Sequence, residues 1–174
     1  MKRKIMNIFF IRIFIVSLIY STPCFAQKDI IPFSKTNVSI HAGYDSLFGT
    51  LAIPHDFTSG KILLIISGSG PTDRNGNTPL LPKNNDCFLK MAEELAEHGI
   101  ASLRFDKRGV AASKKAIIKE EDLTIDTLIE DVVHWIDFLK KDERCKEITV
   151  AGHSEGSLLG LIAAQKNADK YISI

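Results

Sequence analysis

Gly152-His153-Ser154-Glu155-Gly156 sets a serine between two glycines, each two positions away. A serine hydroxyl attacks a carbonyl carbon efficiently only when a base takes its proton, so Ser154 needs a companion. Its flanks show how it would be presented. Ile148-Thr149-Val150-Ala151 reads as a strand running into the pentapeptide, and Leu158 to Gln165 as an apolar helix leaving it. In so tight a strand-to-helix turn, bulky side chains at the glycine positions would strike neighbouring backbone. The serine Oγ projects above the sheet, beside the free N–H groups and positive dipole end of the helix. This context predicts a nucleophile elbow at Ser154; the alternative is a plain turn that contains a serine. His153 adjoins the serine, but adjacent side chains in an elbow diverge, so it is not expected to act as base. His41, His55, His98 and His134 precede the serine without metal-ligand spacing and read as structural or surface residues.

The elements that must position Ser154 follow from the hydrophobic pattern. Asn37 to His41 and Leu47 to Ile53 read as two strands joined by the turn Gly43-Tyr44-Asp45. Lys61 to Ile66 is an unbroken apolar run, as expected of a central strand covered on both faces. Phe88, Met91, Ala92, Leu95 and Ala96 recur at helical spacing before Gly99, and Ile100 to Phe105 makes the next strand. Ile125, Leu128, Ile129, Val132, Ile136 and Leu139 line a second helix; Trp135 lies beside that stripe and reads as packing. Tyr171 to Ile174 starts a last strand. Alternating strands and helices imply a mostly parallel sheet with flanking helices. Pro71 to Asn85 is then a loop at the carboxyl edge, where ligands bind in such sheets.

Two further segments are specific. Ser67-Gly68-Ser69-Gly70-Pro71-Thr72-Asp73-Arg74-Asn75-Gly76 resembles the H-G-S-G-P-x-D-R-x-G segment of a bacterial esterase branch of the α/β-hydrolase superfamily, often labelled serine aminopeptidase-like. Asp106-Lys107-Arg108-Gly109-Val110-Ala111-Ala112-Ser113 resembles its D-x-R-G-x-G-x-S loop, and Gly152–Gly156 its elbow. The sequence departs twice: Ser67 stands for the usual histidine and Ala111 for the second glycine. The resemblance implies the amino-terminal part of an α/β-hydrolase fold over residues 37–174 and a serine hydrolase acting on carboxylic esters through an acyl-enzyme. It implies an oxyanion hole built from the backbone N–H groups of Ser69 and Glu155, donors worth roughly 3–4 kcal/mol each. A glycine-rich turn without a ligand is the alternative for Ser69. Asp73 and Arg74 could clamp a substrate, but with Asp106 and Arg108 they are expected to pair the two loops with each other. Peptidase, acyl thioesterase and non-catalytic acyl-ligand binding are the competing functions.

Triads in this fold run serine, acid, histidine along the chain. No histidine follows Ser154, and the only later acids are Glu155 and Asp169. The sequence therefore reads as a fragment, with acid and base beyond residue 174, expected to be inactive alone. Residues 1–26 read as a secretory signal peptide: Lys2, Arg3 and Lys4, an apolar run from Ile8 to Tyr20 broken by Arg12, then Cys24-Phe25-Ala26. Thirteen residues are too few for a membrane span, which takes about 20. Cleavage after Ala26 predicts a secreted or periplasmic protein with a 27–36 extension and no membrane association. It removes four basic residues, leaving 18 against 21 acids, a net charge of −3. A slightly acidic domain has no footprint for nucleic acid. No cofactor and no metal are expected, and the partner is a small acyl ester. Cys87 and Cys145 should lie at opposite ends of the sheet, about 17 Å apart against a bridging limit near 7 Å, and stay separate thiols.

Overall fold

The computed structural model describes residues 30–43, 45–117, 119, 121 and 123–174. The expected signal peptide with its cleavage site, residues 27–29 and Tyr44 lie outside the described residues. Among the described residues no helix is long and apolar enough to cross a membrane.

A hairpin of two ten-residue strands opens the fold: β1 (Phe33–Ala42) pairs antiparallel with β2 (Asp45–Pro54), from Phe33 opposite Pro54 to Ala42 opposite Asp45. The strand starts at Phe33, four residues before the expected Asn37, so part of the anticipated extension is sheet. Alternation there is hidden, because most of β1 is solvent-exposed. β3 (Gly60–Ile66), α1 (Cys87–Glu97), β4 (Ala101–Phe105), a 3-10 turn (Ala111–Ala116), α2 (Ile125–Lys140), β5 (Cys145–Gly152), α3 (Glu155–Asn167) and β6 (Lys170–Ser173) follow. The sheet order is β1-β2-β4-β3-β5-β6, antiparallel as far as β4 and parallel from β4 to β6.

β3 is apolar from Ile62 to Ile66 because both its faces are covered there. Ile62, Leu64 and Ile66 join the main core with α2 and α3, whereas Ile65 packs with Phe88 and Ala92 of α1. Helix α2 starts where Thr124 Oγ1 accepts the N–H of Thr127 at 3.2 Å, satisfying one orphan donor of the first turn. Its buried face carries Trp135, which is fully enclosed between Phe105 and Phe138 with ring centroids 5.5 Å from each. Trp135 is thus a core residue. Cys87 lies at the start of α1 and Cys145 at the start of β5, and both are free thiols.

Candidate active site

β3, β4 and β5 are adjacent and parallel, so the segments leaving Ile66, Phe105 and Gly152 all emerge at one edge of the sheet. The segment after β5 is the elbow. Ser154 sits at φ 54°, ψ −120°, outside the regions ordinary L-residues occupy, and is exposed. Local sterics enforce this. A Cβ on Gly152 would come within 2.1 Å of the Gly156 carbonyl oxygen, and one on Gly156 within 2.6 Å of the Ile66 and Ser67 carbonyl oxygens. Only glycine fits at either position. Backbone bonds then hold the turn: His153 N–H to the Ile66 carbonyl (3.1 Å) and Ser157 N–H to the Ser154 carbonyl (2.9 Å). The Ser157 hydroxyl donates to the Gly152 carbonyl at 2.5 Å, and Tyr171 of β6 donates to the Ser157 carbonyl at 2.9 Å.

The segment after β3 lies against the elbow. A Cβ on Gly68 would be 3.3 Å from the Ser154 Cβ, so the Gly68–Ser69 peptide borders the serine. Ser69 is exposed. Among the described residues, neither the Ser69 nor the Glu155 amide N–H donates to a protein acceptor. The loop is folded on itself: Ser67 Oγ donates to the Thr72 carbonyl and Thr72 Oγ1 to the Ser69 carbonyl, both at 3.2 Å. Ser67, standing where relatives of the esterase branch carry histidine, is thereby a buried loop fastener.

The segment after β4 ties the site together through three consecutive side chains. Asp106 accepts from Arg74 twice, from its backbone N–H at 2.8 Å and its guanidinium at 2.7 Å. Lys107, 5 % exposed, donates to the Gly68 carbonyl at 2.5 Å and the Glu155 carboxylate at 2.7 Å. Arg108 forms a two-pronged ion pair with Asp131 of α2 (2.5 and 2.8 Å) and donates to the Ala116 carbonyl at 3.0 Å. The expected pairing of the two loops through Asp73, Arg74, Asp106 and Arg108 is therefore half right. Arg74 joins Asp106, but Arg108 reaches a helix, and Asp73 is spent on the N–H groups of Asn75 and Asn77, both at 2.8 Å. Arg74 also donates to Thr50 at 3.1 Å, so it is a structural cation rather than a free clamp. Burial pushes the Asp131 carboxyl above the usual carboxylate range, with Arg108 pulling against the shift.

The histidines stand apart from this chemistry. His153 turns edge-on to Phe88 of α1, with ring centroids 5.8 Å apart. His41, His55, His98 and His134 are all exposed. Among the described residues no group of three His, Cys, Asp or Glu side chains is placed to hold a metal ion. Sequence reasoning gave no role to Lys107 or Asp131. A signal for each existed: a lysine two residues past a fully buried strand must find anions, and Asp131 interrupts the apolar stripe of α2 at helical spacing from Leu128 and Trp135. Beside Glu155 opens a cleft of about 360 Å³ bordered by Gly70, Pro71, Val110, Ile117 and Leu128.

A six-stranded mixed sheet with a serine elbow and a glycine-rich loop on neighbouring parallel strands defines an α/β hydrolase. Residues 84–174 match the serine aminopeptidase S33 family, and the chain belongs to that family. Esterase EstD of Thermotoga maritima is 26% identical over 157 residues, covering 89% of this chain and 35% of EstD. The chain thus spans about a third of the curated relative it matches. Among solved structures, dienelactone hydrolase from Anabaena variabilis has a TM-score of 0.61 at 23% identity, covering 81% of this chain and 62% of its own. The Xanthomonas campestris serine hydrolase XC6422, described as lacking a lid, has a TM-score of 0.61 at 20% identity, covering 83% and 62%. These two likenesses show the fold.

Proposed function

We propose that the protein hydrolyses small carboxylic esters through an acyl-enzyme on Ser154. The observation that carries this reading is the backbone of Ser154, held at φ 54°, ψ −120° with the Gly68–Ser69 peptide against it. Ser154 Oγ attacks the acyl carbon as its proton passes to a base. The negative charge on the carbonyl oxygen is met by the N–H groups of Ser69 and Glu155, and collapse of the tetrahedral intermediate expels the alcohol. Water then attacks the acyl-serine by the reverse sequence of proton transfers. The reading needs a histidine base with a carboxylate partner and assigns both to sequence outside the described residues. His153 is packed on Phe88, and the four remaining histidines are exposed and precede the elbow. Ester in preference to peptide is supported by the likeness to EstD and by the apolar side chains in the cleft beside Glu155.

The test is covalent labelling of the full-length gene product with a fluorophosphonate, followed by peptide mapping. The adduct is expected on Ser154 and absent from Ser154→Ala; equal labelling of that variant would overturn the assignment. A short-chain p-nitrophenyl ester should be hydrolysed faster than an aminoacyl p-nitroanilide or an acyl thioester. The opposite order would replace ester with peptide or thioester.

A further inference from the structure

We propose that Lys107 is a positioning residue that aims both N–H donors of the oxyanion hole, an inference that rests on the Ser154 reading above. An amide is planar, so its C=O and N–H point from opposite edges of one rigid plate. The carbonyl of Gly68 and the N–H of Ser69 belong to the same plate. Lys107 Nζ grips that carbonyl at 2.5 Å, which fixes the direction of the Ser69 N–H on the far edge. The loop's own hydrogen bonds end on the Thr72 and Ser69 carbonyls and leave the Gly68–Ser69 plate to Lys107, beside an exposed Ser69 and a Gly70 at φ +72°. Without the grip the plate is free to rotate and lose the donor.

The same ammonium bonds the Glu155 carboxylate at 2.7 Å. Glu155 is the first residue of α3 and the one whose own N–H is the second donor. One buried cation therefore links the Gly68–Ser69 peptide to the side chain of the residue that carries the second donor, across segments that follow different strands. An ammonium bonded to a carbonyl oxygen also polarises the amide, making its N–H a better donor. Lys107 takes no proton from the substrate. Its side chain is 6% exposed, and both its bonds go to the protein.

This predicts damage to turnover rather than to substrate binding, because the donors are needed most when charge develops. In the full-length gene product, Lys107→Met should lower kcat about 10- to 100-fold with KM nearly unchanged, less than the loss of a whole donor. The affinity of a trifluoromethyl ketone, which forms a tetrahedral adduct with the serine, should fall by a similar factor. Lys107 is buried, so its loss could also unfold the protein. Glu155→Ala meets that case: it keeps the amide donor, sits at a partly exposed helix start where alanine is well tolerated, and should lower kcat about 3- to 10-fold with the same parallel loss of ketone affinity. Turnover within about twofold of the parent in either folded variant, or a fall in kcat with unchanged ketone affinity, would overturn the inference. Ser154→Ala separates the two levels. If it is inactive while Lys107→Met and Glu155→Ala match the parent, only the role of Lys107 falls; if it retains turnover, the role of Ser154 falls and that of Lys107 with it.

Discussion

Asp86, Ala111 and Ser154 are the described residues other than glycine that hold a positive φ, at 51°, 43° and 54°. Ala111 stands where the esterase branch carries a glycine, and the loop has kept the glycine conformation without the glycine. A left-handed L-residue costs roughly 1–2 kcal/mol, more than the roughly 0.4–1 kcal/mol of unfolded-state entropy that a glycine adds. Ala111→Gly should therefore raise the unfolding midpoint in urea. Ser154→Gly should raise it too, because φ 54°, ψ −120° lies outside the regions L-residues ordinarily occupy, but only this variant should lose fluorophosphonate labelling. On the proposed reading strain at Ser154 accompanies the chemistry, whereas Ala111 takes no part in it. A lowered midpoint for Ala111→Gly would show that the loop does not store strain there.

At the scale of elements, β4 is the fastening strand of the site. The three residues that follow it send Asp106 to the loop after β3, Lys107 to the elbow and Arg108 to α2. Removing Arg108 leaves the Asp131 carboxylate 1 % exposed and without its cation. Breaking a buried pair in this way typically costs about 3–5 kcal/mol. Asp131 already has a raised folded-state pKa, which rises further when the opposing Arg108 charge is gone. A group raised in the folded state favours folding when protonated, so its contribution is present below the unfolded pKa and lost as pH rises through the folded one. Arg108→Met should accordingly lose more stability in urea titrations at about pH 7.5 than at about pH 5, and adding Asp131→Asn should flatten the difference. An equal loss at both would contradict an isolated buried carboxyl. The same elements show what the sequence makes readable. Strands and helices announce themselves by local periodicity, and the elbow by glycines that its own backbone demands. Arg108 finding Asp131 is a long-range event that no spacing encodes. The 3-10 turn was missed because single short bonds, Ser113 N–H to the Val110 carbonyl and Gly109 N–H to the Ser113 carbonyl, leave no hydrophobic rhythm.

Over the whole molecule the sheet has unequal margins. Among the described residues β1 and β6 are the two edges; β1 is largely polar, whereas Ile172 and Ile174 at the β6 edge stand half-exposed, as do Leu158 and Leu161 of α3. An unpaired apolar strand edge is a template for further pairing. The 174-residue chain produced by itself should self-associate in sedimentation velocity, and Ile172→Lys should shift it towards monomer. A clean monomer at tens of micromolar, about the range where exposed edges associate, would show that this margin is harmless. The order of strands also governs timing. β3 and β5 touch, yet β4, α1 and α2 are strung between them. The β1–β2 hairpin can zip through a short local loop, but bringing β5 beside β3 closes a long one whose entropic cost must be met before its contacts exist. Ser154 and the Gly68–Ser69 peptide come together only at that step. If Ser154 is the nucleophile proposed above, a nascent chain that has not yet brought β5 beside β3 carries an inert hydroxyl there.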